Sequence, residues 1–130
     1  MKAYLELKRQ TLPHYRREGL WRTMRVSAKV HGYRSVLWFG IIRWKDHVFN
    51  QWAMRCPWNG LRIQLQRWRG VQIGKQVHIG PGCTLDYPYP YFVVIEDGAS
   101  LAGNNYVLAH STPMEYHAKC MKSFVAPTVI

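Results

Sequence analysis

The 130-residue chain has little sulfur chemistry, little acid and no long hydrophobic run. Its three cysteines, Cys56, Cys83 and Cys120, are widely spaced and odd in number, with no Cys-x-x-Cys. This argues against a disulfide framework and a thiolate zinc cluster, and suits a reducing compartment. The longest apolar run, Val36 to Ile42, is far short of the roughly 20 residues that cross a bilayer, and the N-terminus is basic without the apolar core of a signal peptide. The expected location is cytoplasmic and non-spanning, with peripheral contact at the inner membrane face as the alternative. Seven acids against eighteen Lys and Arg give a net charge of +11.

That charge divides the chain. Residues 1–70 hold fifteen Lys/Arg against three Asp/Glu, a balance of +12, and residues 71–130 hold three against four, a balance of −1. All six tryptophans, from Trp21 to Trp68, also fall in the first part. Two units are therefore expected: a basic, Trp-rich helical segment over 1–70 and a different architecture over 71–130.

Within the first unit, apolar residues recur at Leu37, Ile41, Trp44, Val48 and Trp52, with Arg43, Lys45, Asp46 and Asn50 off that stripe. This spacing predicts an amphipathic helix over about 34–54 whose stripe faces protein or, as a second choice, lipid. Pro57-Trp58-Asn59-Gly60 ends it. A second helix comes next, with Leu61, Leu65 and Trp68 on one face and Gly70 as its C-terminal cap. A further helix before Pro13 carries a weaker signal. Three roles suit the segment: a cap over the second unit, a peripheral anchor on anionic membrane, or a nucleic-acid surface. The last is disfavoured because no recognition motif accompanies the charge.

After Gly70 the period changes to six. Ile73, Ile79 and Leu85, then Ile95, Leu101 and Val107, are each followed by a small, acidic or aliphatic residue. Such a period suits a triangular solenoid with aliphatics pointing into a narrow prism. "DYPYPYFV" adds four residues between Leu85 and Ile95, and the repeat is lost after Val107. Both departures are expected to be loops on one face, where solenoids keep their sites.

His110, just beyond Val107-Leu108-Ala109 where the last regular side ends, carries an imidazole of near-neutral pKa and is the candidate general base. Its orienting partner is left open among Glu115, Glu96, Asp97 and a backbone carbonyl. Cys83 or Cys120 as a covalent nucleophile lacks a supporting motif.

The stretch "VQIGKQVHIGPGCTLDYPYPYFVVIEDGASLAGNNYVLAHS" resembles the hexapeptide-repeat acyltransferases, in particular their sugar and maltose O-acetyltransferase-like branch. The resemblance implies a mainly β fold for residues 71–130: a left-handed parallel β-helix of about three coils, preceded by the helical segment. It implies an acyl-coenzyme A-dependent O-acyltransferase, with acetyl-coenzyme A as co-substrate, no permanently bound cofactor, and direct attack by a sugar-type acceptor in a homotrimer. It strengthens His110 as general base and places Asp86 and Asn104 as acceptor-binding residues, although turn chemistry alone would account for both. The γ-carbonic anhydrases of this fold hold zinc through three histidines, one pair five apart. Here His110 and His117 are seven apart and His78 falls in a repeat, so no metal is expected. The C-terminal "APTVI" resembles the start of a further repeat, which suggests a truncated member; the rival expectation is thus a catalytically inactive interaction module, membrane-associated or oligomer-forming.

Overall fold

A computed structural model describes residues 19–32, 36–111 and 124–130. Three helices come first: α1 (Gly19–His31), α2 (Val36–Arg55) and α3 (Asn59–Arg69). Gly70, in the left-handed conformation at φ 103°, ends α3. Its N–H reaches Arg67 O at 2.9 Å and the Val71 N–H reaches Gln66 O at 3.1 Å, satisfying carbonyls that the last turn would leave bare.

Short strands come after them: β1 (Gln72–Ile73), β2 (His78–Ile79), β3 (Thr84–Leu85), β4 (Val93–Ile95), β5 (Ser100–Leu101) and β6 (Tyr106–Val107). They pair in parallel, β1 with β4, β2 with β5 and β3 with β6. Every partner lies 22 residues on: Gln72 opposite Val94, His78 opposite Ser100, Thr84 opposite Tyr106. The pairs Ile73 with Ile95, Ile79 with Leu101 and Leu85 with Val107 stack in one core, with Ile73 half-buried and the other five buried. Beyond β6, β7 (His110–Ser111) runs antiparallel to β8 (Phe124–Val125), and β9 (Thr128–Val129) joins the free edge of β4.

The mainly β, left-handed parallel β-helix of about three coils expected from the sequence is not the architecture of this chain. Helices of 13, 20 and 11 residues outweigh strands of two or three, and each sheet holds two or three strands. The protein is a mixed fold of helices and small parallel sheets. Six aliphatic positions report which side chains point inward along about 35 residues. They carry no information on how many layers stack, or on the helices before them.

The helical segment is joined to the first strands by side chains that substitute for a neighbouring strand. Arg67 Nη2 donates to Ile73 O and Gly74 O, both at 2.9 Å, at the end of β1. Asn59 donates to Val77 O at 3.1 Å and accepts from Ile79 N at 2.9 Å at β2. Arg69 donates to Leu85 O and Asp86 O at 3.1 and 3.0 Å at β3. Each of the three strands thus has its open edge satisfied by one residue of α3, where unpaired backbone would otherwise be exposed.

Two further expectations are corrected. The stripe on α2 points outward at Leu37, Ile41, Trp44 and Trp52, with Val48 half-buried, and the face turned to the protein carries Phe39, Asp46, Asn50 and Ala53. The contact it makes is mixed: Ala53 and Phe49 pack with Leu65 of α3, and buried Arg69 donates to Asn50 Oδ1 at 2.9 Å. The insertion after Leu85 is not a surface loop either. Tyr89, Pro90, Tyr91 and Phe92, the last three forming a 3₁₀ turn, are all buried. Tyr91 packs edge-on to His31 of α1, and the Arg43 guanidinium of α2 lies 4.1 Å from the Tyr87 ring centroid while donating to Tyr87 O at 3.0 Å.

Candidate functional site

The 22-residue offset brings residues 86–92, after β3, beside residues 108–111, after β6. Asp86 is fully buried there. Its N–H completes the β3–β6 ladder to Val107 O at 2.8 Å, and its C=O is held by Arg69. Fixed at both ends of its backbone, it directs its carboxylate at three donors. Oδ1 accepts from Tyr89 N at 3.0 Å, and Oδ2 accepts from Ala109 N at 2.6 Å and meets His110 Nδ1 at 2.6 Å. Oδ2, with one lone pair taken by the Ala109 N–H, has a second left, and His110 occupies it.

His110 keeps about a quarter of its side-chain surface open and has the Tyr89 ring edge-on at 5.5 Å between centroids. With Nδ1–H committed to Asp86, the tautomer that leaves Nε2 as an acceptor is favoured, and the ring is held in one orientation. A buried carboxylate, an imidazole clamped through Nδ1 and a free Nε2 are the parts of a general base.

Behind Asp86 stands Arg69. Burial pushes the pKa of its guanidinium down to about 10, while the charges of Asp46 and Asp86 act in the opposite sense. It stays cationic at neutral pH and places a positive charge beneath the carboxylate.

Of the residues singled out in the sequence, His110 is at this site and Asp86 is its partner. Asp86 has no exposed surface for an acceptor to reach, so the expected role as an acceptor-binding residue is replaced by that of orienting the base. Asn104 is at another corner, between β5 and β6. Its backbone adopts φ 60°, its N–H donates to Pro81 O at 2.9 Å, and its Oδ1 occupies the space above Gly82 that a Cβ would need. It is a turn residue. Asp97 is at the third corner, accepting from Lys75 N at 2.6 Å, and Glu96 is its exposed neighbour. Glu115, His117 and Cys120 lie outside the described residues. Cys83 is buried with its thiol on Ala102 O at 2.8 Å, a structural position. No group of three or more His, Cys, Asp or Glu side chains suited to a metal occurs among the described residues.

The Asp86–His110 pairing had a signal in the sequence. The two runs of six-spaced aliphatics begin 22 residues apart, at Ile73 and Ile95, so pairing them in parallel sets Asp86 against Leu108 and within two residues of His110.

Comparison of the chain with family models, with curated proteins and with solved structures finds no match. Among the described residues no helix is long and apolar enough to cross a membrane.

Proposed function

We propose that this protein is an acyl-coenzyme A-dependent O-acyltransferase that moves an acetyl group to a sugar or saccharide precursor, with His110 as general base and Asp86 as the residue that orients it. The observation that carries the reading is the 2.6 Å contact between His110 Nδ1 and a fully buried Asp86 carboxylate. The resemblance of the six-residue repeats to hexapeptide-repeat acyltransferases supplies the reaction class. The solenoid of that family is not required, because the pair itself holds the base in place.

In this mechanism the acceptor hydroxyl attacks the thioester carbonyl of acetyl-coenzyme A. Its proton passes to His110 Nε2 as the C–O bond forms, and the imidazolium that results is stabilised by Asp86. Collapse of the tetrahedral intermediate breaks the C–S bond, and the proton is returned to the departing thiolate. No covalent enzyme intermediate is required. A homotrimer with sites between subunits comes from the resemblance alone and belongs to the same proposal.

The test is an assay of free thiol released from acetyl-coenzyme A against a panel of sugars, run on this chain and on any longer product of its reading frame. Acceptor-dependent thiol release that disappears in His110→Ala supports the reading. Release that is unchanged in that variant sinks it.

A further inference from the structure

Helices α2 and α3 turn the tryptophans Trp44, Trp52 and Trp68 outward. On α2, Leu37, Ile41, Trp44, Trp52 and Arg55 recur at helical spacing along one line and are all exposed, Leu37 at 73% and Trp44 at 71%. The buried residues Phe39, Asp46, Asn50 and Ala53 occupy the opposite side of the same helix. Between Leu37 and Arg55 the line runs for roughly 27 Å at 1.5 Å per residue. Val36, Leu37, Gly40, Ile41 and Trp44 form one shallow apolar groove. Trp52, Arg55, Leu61 and Trp68 line a second, which carries the surface from α2 onto α3.

Charge distinguishes the possible occupants. The segment to which this surface belongs balances at +12 over residues 1–70. Among its described residues the one acid is Asp46, which is buried on the far side of α2. The outward face therefore offers tryptophan, leucine, isoleucine and arginine with no carboxylate among them. Tryptophan rings at the level of lipid headgroups, flanked by cations and backed by aliphatics, are the composition of helices that lie in a membrane interface. An anionic bilayer also supplies the negative field that this charge is built to meet.

We propose that the outward face of α2 and α3 is a docking surface for an anionic lipid bilayer, on which the protein lies without spanning it. The proposal is independent of acetyl transfer and stands or falls without it.

Flotation of the full chain with phosphatidylcholine vesicles, with and without about one-third phosphatidylglycerol, tests it. Binding is expected to the anionic vesicles alone, and to weaken by tenfold or more as salt rises from about 0.05 M to about 0.5 M. Trp44→Glu and Leu37→Glu change side chains that are already exposed, so circular dichroism should match the parent while binding falls by tenfold or more. Tyr106→Glu, at an exposed position on β6 that lines neither groove, should bind as the parent does. Failure of the parent to float with anionic vesicles at low salt overturns the proposal, as does unchanged binding by Trp44→Glu. A Trp44→Glu variant that instead lowers the mass of the protein in solution marks the face as a contact between copies, and also overturns it.

Discussion

Arg69 reaches the backbone carbonyl of Asp86 at 3.0 Å from beneath β3, while the carboxylate of Asp86 reaches His110 from the other side of the same residue. A side chain of α3 therefore fixes the residue that fixes the candidate base. The link ties the helical segment to the chemistry. It also makes Arg69, with donors on Asn50, Gln66, Leu85 and Asp86, the most heavily committed side chain of the interior.

Replacing Arg69 by methionine should cost about 3–5 kcal/mol, the range for removing one member of a buried charged network and leaving its acceptors unpaired. Arg69→Lys should recover only part of this, because an ammonium lacks the planar fork that spans Leu85 O and Asp86 O. Urea unfolding of the two variants measures both numbers. A methionine variant within about 1 kcal/mol of the parent would show that the network contributes little.

Asp86→Asn should leave His110 without a carboxylate on Nδ1 and allow the wrong tautomer. The expected result is a fall in kcat of roughly 10²–10⁴-fold, similar to His110→Ala, with KM for acetyl-coenzyme A nearly unchanged. Steady-state kinetics on the active form decides it. Near-full turnover in Asp86→Asn would separate the carboxylate from the chemistry.

Burial raises the pKa of Asp46 above the usual 3.8, against the opposing pull of Lys45, Arg69 and Arg43. Since the folded form holds this proton more tightly than the unfolded chain, the stabilisation is complete at acid pH. It is lost as pH rises from about 3.8 through the folded value. Asp46→Asn should therefore gain in Tm relative to the parent as pH is raised from about 4, and the gain should level off near neutrality. Thermal scans across that range test the sign; a gain that shrinks with rising pH contradicts it.

Two glycines should respond in opposite directions to alanine. A Cβ on Gly80 would lie 2.4 Å from Gly103 N and 2.6 Å from Ala102 C. This is backbone just past β5, the parallel partner of β2, which cannot move aside, and Gly80→Ala should destabilise by more than about 2 kcal/mol. Gly40, inside α2 with open space around it, should gain about 0.5–1 kcal/mol from Gly40→Ala through helix propensity alone. Chemical denaturation of the pair is the measurement.

The sequence alone determined the features set by local spacing. Apolar residues at helical intervals located α2, Leu61, Leu65 and Gly70 located α3 and its end, and the period of six picked out Ile79, Leu85, Ile95, Leu101 and Val107 as interior. His110 as a candidate base also came from its place just past the last regular side. Tertiary structure decided what spacing cannot express. The α2 stripe faces outward because the opposite side is held by the hydrogen bond from Arg69 to Asn50 and by Ala53 and Phe49 packed with Leu65, and a pattern of apolar residues shows that a helix has two faces without showing which one the protein covers. The insertion is buried because Tyr89, Tyr91 and Phe92 pack between α1 and the strands, although its prolines read as a loop. The 22-residue offset in the sequence brings Asp86 near His110, but Asp86 orients His110 rather than binds an acceptor because its backbone is fixed by Arg69 and Val107 and its carboxylate is buried, which spacing cannot express.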